Sequence, residues 1–545
     1  MHIAKRAGGC GAVAIGLAFC SLLSGIVAQA EISAPGYQVR QLVKPSAFHG
    51  VHGLAFDADD RLYAGSVVGQ SVYRIDTRTG AVTTVVGPPQ GMADDLVFLP
   101  DGTMVWTAIN QDEVRARRGD GPVRTLAKLV SVNSIDYRES DGRLFVAQVF
   151  GGDALWELDV AGNKPPRLIL KDLGGLNGFD IGPDGWIYGP LWFKKQVVKI
   201  HPDTGELQVV ADGFHTPAAV NFDSKWNLYA LDTALGTVSR IDIETGVKTV
   251  VAKLATSLDN LAIDSKDRLF VSNMADNGIQ EIDVATGQAR NIASGELAIP
   301  LSVSAVTEGK NDRLYVADVF AYRSVDGASG RVDDLQRMHA DHAQIGYPVS
   351  VSANARHVIV GNSEGSLQVF DRADNKLLRN IHGLRGLSNA IELRDGSLLV
   401  AHAGNTLTRI AKDADRRTPV MTGLRSPQGL ALAGTDSVYV GETAAGTISR
   451  IDLTAGTKQV IASGLQLPQS LALDGDGNLL TVELTERRLV RIDPADGRIT
   501  RIATALPVGL LGGGDSRLPV GVSVGANGAI YLTSDIENSI YKLSK

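Results

Sequence analysis

Asn177-Gly-Phe-Asp-Ile-Gly-Pro-Asp-Gly-Trp-Ile-Tyr188 is the stretch whose recurrence decides the fold. It runs as a short apolar strand, an Asp-Gly turn and the start of a second strand, with apolar and polar residues alternating. Period-two alternation broken by Asp-Gly pairs predicts half-buried antiparallel hairpins. His52-Gly-Leu-Ala-Phe-Asp-Ala-Asp-Asp-Arg-Leu-Tyr63 and Gln469-Ser-Leu-Ala-Leu-Asp-Gly-Asp-Gly-Asn-Leu-Leu480 are versions of the same unit. Third strands such as Val72-Tyr-Arg-Ile-Asp76 and fourth strands such as Val247-Lys-Thr-Val-Val251 complete it.

The first residues of the innermost strands form the series His52, Asp94, Asn133, Asn177, Ala218, Asp259, Leu301, Val349, Ser388, Gln428, Gln469 and Val520. Their spacing averages about 43 residues, the length of a four-stranded propeller blade. Twelve blades exceed the roughly 4–8 that one ring holds. The expected fold is therefore all-β: tandem β-propellers, two six-bladed rings built from twelve four-stranded blades. Residues 37–43 and 289–293 read as orphan strands, and the last blade shows only three strands of its own. If each ring opens with the outer strand of its own last blade, 31–286 forms the first propeller and 287–545 the second. A rival closure pairs 37–43 with the twelfth blade, which ties the N-terminus to the second ring. The repeat is least regular at 321–345 and at the Gly-rich 510–517, both read as lids or partner-contact loops.

Residues 1–30 carry Lys5 and Arg6, an apolar stretch over 12–27 and Ala28-Gln29-Ala30, the pattern of a secretory signal peptide. Lipidation at Cys20 is a second reading of the same segment, and the expected location is periplasmic or secreted. Both cysteines, Cys10 and Cys20, fall inside it, so the remainder has no thiol for a disulfide, a zinc thiolate site or a nucleophile. No later apolar run reaches the length that spans a bilayer. The 545 residues are 44% hydrophobic and 21% charged, with a formal net charge of −7 and no extended Lys/Arg run. That is globular composition without the electrostatic footprint of a nucleic-acid binder.

In a propeller the starts of the innermost strands converge on one mouth of the central channel. In the first ring five of those six residues, His52, Asp94, Asn133, Asn177 and Asp259, offer oxygen or nitrogen donors, with Asp95 and Asn260 adjacent. Carboxylates and amides around one axis suit a hard divalent cation such as Ca²⁺, which takes roughly 6–8 oxygen ligands. Such an ion polarises a carbonyl and acidifies bound water. In the second ring none of the equivalent residues titrates. That ring carries its polar circle at the ends of the second strands, where His402, Glu442 and Glu483 form an alternative site of a base with orienting carboxylates, or a metal site.

Asn177-Gly-Phe-Asp-Ile181 and Leu258-Asp-Asn-Leu-Ala-Ile263 resemble the Asn-Gly and Asp-Gly strand starts of the regucalcin/gluconolactonase family of six-bladed propellers. More distantly the chain resembles NHL-repeat, strictosidine-synthase-like and virginiamycin-B-lyase-like propellers. The family resemblance implies a divalent cation, usually Ca²⁺, held by Glu, Asn and Asp, and hydrolysis of small-molecule lactones; Asn133 looks like its substrate-side asparagine. His52 stands where that family has its first-blade glutamate, and Ala218 separates Asn177 from Asp259. The expectation is an exported metal-dependent lactonase-like hydrolase. Asp94, Asn177 and Asp259 would bind the metal, His52 and Asp259 would be catalytic, and Asn133 and Asn260 would contact substrate. A carbon–oxygen lyase using His402, Glu442 and Glu483, and a non-catalytic module for a small ligand or protein partner, remain alternatives.

Overall fold

The computed structural model describes residues 31–513 and 516–545. The signal segment 1–30 lies outside the described residues, as do Gly514 and Asp515 of the Gly-rich loop. Ile32–Lys545 make one compact unit.

Twelve four-stranded antiparallel sheets account for this unit, with one additional two-stranded hairpin, Leu511–Gly513 with Ser516–Arg517. The first sheet is representative: Leu54–Phe56, Leu62–Ser66, Ser71–Ile75 and Val82–Val86 pair in sequence order. Its second strand is buried throughout and its fourth is only partly buried, as expected for strands running from the channel to the rim. The turn before the fourth strand shows why Asp and Gly recur. Asp76 accepts hydrogen bonds from the Arg78 and Thr79 amides at 2.9 Å, and Gly80 takes φ +74°. A Cβ on Gly80 would lie 2.3 Å from the Ile292 carbonyl oxygen of the neighbouring sheet, so this turn tolerates no side chain.

Innermost strands touch in two closed circuits of six. Leu54–Phe56 contacts Leu96–Phe98 on one side and Leu258–Ile263 on the other, while Pro300–Glu308 contacts Pro348–Ala353 and Val522–Val524. Apolar clusters fill the space between successive sheets; Leu62 and Tyr73 of the first meet Phe270 and Ile279 of the sixth. Each such side chain contributes about 1.5–3 kcal/mol by leaving water.

The closure differs from the expected one. Gln38–Gln41 pairs with Ser539–Ser544, so the N-terminal strand completes the twelfth sheet and not the sixth. Ala289–Ala293 is the sixth sheet's own fourth strand, paired with Gly278–Ile282. A boundary at 286 therefore falls inside a hairpin, and the chain passes between circuits after Ala293. The physical reason is the outer edge of Ser539–Ser544, whose backbone groups Gln38–Gln41 pairs, while the edge of Gly278–Ile282 is already covered by Ala289–Ala293. The segment after Gln41 straps the circuits together. Leu42 and Val43 pack with Leu297 and Tyr531, Phe48 packs with Tyr73 and Phe270, and Asn277 Nδ2 and Asn538 Nδ2 both donate to the Phe48 carbonyl.

The region 321–345 is also more regular than its sequence suggested. Ala321–Asp326 and Val332–Arg337 are ordinary third and fourth strands of the seventh sheet. Only 338–347 is an irregular connection.

Candidate active site

The first circuit's strand starts are held close by a glycine. Gly53 donates to the Asp94 carbonyl at 2.7 Å, and a Cβ there would lie 2.4 Å from that oxygen and 2.8 Å from Asp95 Oδ1. This close approach sets His52 beside Asp94. His52 Nδ1 lies 3.6 Å from Asp94 Oδ1 and 3.1 Å from Asp259 Oδ2. The three side chains are almost wholly shielded from solvent and offer ligand atoms within 4.8 Å of one another. Asn133 Nδ2 donates to Asp94 Oδ2 at 2.7 Å and thereby orients that carboxylate.

Two other expected residues are placed differently. The Asn177 side-chain oxygen accepts from the Gly178 amide at 2.9 Å. Asn260 donates to Asp95 Oδ1 at 3.2 Å, and Asp95 also accepts the Leu96 and Ile135 amides. Ala218, in the blade between Asn177 and Asp259, is packed in an apolar cluster.

The electrostatics are dominated by burial of acids without Lys or Arg partners among the described residues. Burial, reinforced by Asp259 and opposed by His52, pushes the Asp94 carboxyl up to about 7. Burial likewise pushes Asp95 up to about 8 and Asp180 up to about 6, and holds Asp136 well above the usual carboxylate range with help from the Asp180 charge. Burial works against the charged form of His52, but the adjoining Asp259 and Asp94 carboxylates outweigh it and raise its pKa. Among the described residues no Lys or Arg makes an ion pair with Asp94, Asp95, Asp136, Asp180 or Asp259.

These residues fit a divalent cation. Two carboxylates converge with no Lys or Arg to balance them, and His52 Nε2 is buried without a hydrogen-bond partner. Leaving such a group unsatisfied costs about 1–3 kcal/mol, so the site is built for a further atom. Asp94 and Asp259 supply the oxygens a hard cation takes; the amide oxygen of Asn177 is already engaged by Gly178.

The roof comes from the second circuit. The Phe320 ring stands edge-on to His52 with centroids 5.6 Å apart, a contact made possible by Gly50, where a Cβ would lie 2.6 Å from that ring. The connection 338–347 is tied down on the first circuit: Ser257 Oγ donates to the Met338 carbonyl at 2.6 Å and the Asp341 amide to the Ala234 carbonyl at 3.0 Å. Arg337 anchors its start through Asp276, Asn273 and the Thr256 carbonyl. His339 and Tyr347 thereby face the cluster. Sequence reasoning singled out the surrounding segment as a loop but not Phe320 or Tyr347; the 48-residue interval between Leu301 and Val349, longer than its neighbours, was the available signal.

The alternative second-circuit site does not assemble. Glu442 accepts from the Arg425 amide and from Ser449 Oγ and pairs with Lys458 Nζ at 2.5 Å. Glu483 accepts from the Gln466 amide at 2.8 Å and pairs with Arg488 Nε at 2.5 Å. His402 Nδ1 bonds to the Arg385 carbonyl at 2.9 Å. Asp232 and Asp318 play the same part elsewhere, receiving the amides of His215, Thr216, Ala298 and Ile299. This polar circle ties the loop before each innermost strand to the end of its second strand, a structural role that leaves its members apart from one another.

No family model matches the chain, and no curated protein matches it. Solved structures do. A gluconolactonase candidate has 13% identity and a TM-score of 0.38, covering 48% of this chain and 95% of its own. The extracellular domain of a proposed one-component system from B. thetaiotaomicron has 10% identity and a TM-score of 0.33, covering 93% and 82%. The WD40 propeller domain of Doa1 has 15% identity and a TM-score of 0.34, covering 58% and 89%. Identities and scores this low say nothing of chemistry. With twelve four-stranded sheets whose innermost strands close on themselves, the chain is a tandem β-propeller protein.

Proposed function

We propose that this protein is an exported, metal-dependent hydrolase of the lactonase type, acting on a small-molecule lactone or ester at the mouth of the first circuit. The observation that carries the reading is the shielded cluster of His52, Asp94 and Asp259. Export rests on the signal pattern of residues 1–30. Asp94 and Asp259 would hold a divalent cation, Ca²⁺ on the family resemblance, with Asn133 fixing the Asp94 carboxylate. When bound, the cation polarises the acyl carbonyl and lowers the pKa of nearby water.

The chain's own residues do the rest. Asp259 accepts a hydrogen bond from His52 Nδ1–H, which keeps that proton on Nδ1 and leaves Nε2 as the basic nitrogen, the tautomer a general base needs. His52 Nε2 takes a proton from water as the water oxygen bonds to the acyl carbon; the ring C–O bond then breaks and the leaving alkoxide takes that proton. The product is the open hydroxy acid. Phe320 and the 338–347 connection exclude bulk water above the reacting atoms.

The test is metal content and turnover on one preparation, purified without chelators or a His tag. Wild type is expected to hold one divalent ion and to open lactones. Asp94→Asn and Asp259→Asn are expected to lose both, and His52→Gln to lose turnover while keeping the metal. A wild-type protein with neither metal nor esterolytic activity overturns the reading.

A further inference from the structure

The second circuit places one imidazole over the first circuit's mouth and pins the backbone on both sides of it. The Met338 carbonyl accepts from Ser257 Oγ at 2.6 Å, and Ser257 stands two residues before Asp259. The Met338 amide donates at 2.9 Å to the carbonyl of Phe320, whose ring stands against His52. Beyond it, the Asp341 amide donates to the Ala234 carbonyl at 3.0 Å. His339 lies between these bonds and is half-buried. Its ring sits edge-on to Trp192 of the first circuit, centroids 5.2 Å apart and planes at 85°, and to Tyr347 of the second, at 6.3 Å and 87°. Edge-to-face contacts on two sides fix the orientation of the ring.

The packing leaves both nitrogens of this ring unused: among the described residues neither has a hydrogen-bond partner. The charges that act on its titration are those of Asp259 and His52, so the imidazole stands within the field of the cluster. Burial outweighs Asp259 and holds His339 down to about 4, which keeps the ring neutral near pH 7. A neutral imidazole offers one N–H donor and one acceptor. His339 also borders a polar cleft of about 320 Å³, walled by Lys195, His215 and Thr216 of the first circuit and 340–343 of the second, so it is reachable from solvent.

Attack on an acyl carbon puts negative charge on the carbonyl oxygen. A cationic donor beside Asp94 and Asp259 would pair with those carboxylates instead, whereas a neutral N–H fixed in advance stays available for the developing charge. Resting on the hydrolase reading above, we infer that His339 is a catalytic residue supplied by the second circuit, its N–H donating to the acyl oxygen as that oxygen becomes the oxyanion. The imidazole keeps its proton throughout. The bond from water oxygen to acyl carbon forms, the carbonyl π pair moves onto oxygen, and it returns as the ring C–O bond breaks. The proton that His52 took from water goes to the leaving alkoxide. The first circuit thus bears the metal ligands and the base, and the second completes the oxyanion site.

The backbone at His339 has φ +59°, which Gly adopts freely and Asn tolerates, so both replacements remove the imidazole without straining the connection. In the full chain with δ-valerolactone as substrate, His339→Gly is expected to lower kcat by about 10²–10³ and to change KM by less than about threefold. Added imidazole should restore part of that kcat, and His339→Asn, which keeps an N–H donor, should retain more of it than His339→Gly. A roof that merely covers the site would not respond to imidazole. Calorimetry gives a readout without turnover. The six-membered cyclic phosphonate, an anion that stands for the tetrahedral intermediate, is expected to bind His339→Gly at least about tenfold more weakly than wild type, while the uncharged δ-valerolactam binds both equally. Wild-type kcat and unchanged phosphonate affinity in His339→Gly overturn the inference and leave the hydrolase reading standing. Weakened phosphonate binding in a protein whose wild type opens no lactone does the reverse. A wild type with neither turnover nor phosphonate binding overturns both.

Discussion

His52 Nδ1 and Asp259 Oδ2 lie 3.1 Å apart although 207 residues separate them in the chain. They belong to the first and sixth sheets, so the contact exists only where the first circuit closes. If Asp259 sets the His52 tautomer, His52→Gln should lower kcat by about 10²–10⁴, the range of general base catalysis, with unchanged near-UV circular dichroism. Wild-type kcat in that variant would remove His52 from the chemistry.

Asp136 and Asp180 share a hydrogen bond deeper in the same channel, and burial raises both, Asp180 to about 6. A carboxyl whose folded pKa exceeds its unfolded value of about 3.9 binds its proton more tightly when folded. Its contribution is fully present below pH 4 and is lost as pH rises through the folded pKa. Stability should therefore fall between pH 4 and pH 6, by at most about 1.4 kcal/mol per pH unit for each proton. Asp136→Asn supplies a permanent donor to Asp180, so its urea midpoint should vary less over that range. An equal slope in both proteins would contradict the shared proton.

Glu442 and Glu483 hold loops, and their removal should read as lost stability. Glu483→Ala frees the Gln466 amide and the Arg488 guanidinium together, a loss of about 1–3 kcal/mol from hydrogen bonds to a buried charge. Thermal denaturation should show it, while turnover per folded molecule stays at the wild-type value. Activity loss exceeding the loss of folded protein would return chemistry to the second circuit.

The N-terminal strap should matter most to the sheets farthest from it in sequence. Deleting 32–43 uncovers Ser539–Ser544 and removes the buried Leu42 and Val43, each worth about 1.5–3 kcal/mol, from their packing against Leu297 and Tyr531. Limited proteolysis is expected to cut first within 500–545. First cleavage inside 52–293 would show that the strap serves the first circuit instead.

The repeat was legible because each unit announces itself locally. Asp76 and Gly80 make their turn with partners four residues away or fewer, and the alternation in Ser71–Ile75 needs only the pleat of one strand. The donors His52, Asp94 and Asp259 were legible for a related reason: equal register in successive repeats puts equal positions at one channel mouth. Register does not tell what a side chain does once there. Glu442, placed by the same logic, turned out to be satisfied by its own loop and by Lys458.

By itself the amino-acid sequence determined the all-β class, the blade length, the number of sheets and the polar character of the first channel. All of these follow from interactions within a unit of about 43 residues. Only the tertiary structure decided which edge Gln38–Gln41 covers, because both orphan segments have similar strand chemistry and the choice depends on which sheet lacks a fourth strand. It alone brought Phe320, His339 and Tyr347 of one circuit over His52 of the other. That contact is set by how the circuits pack and by the Gly50 and Arg337 contacts that let them approach, and a local pattern carries no record of it.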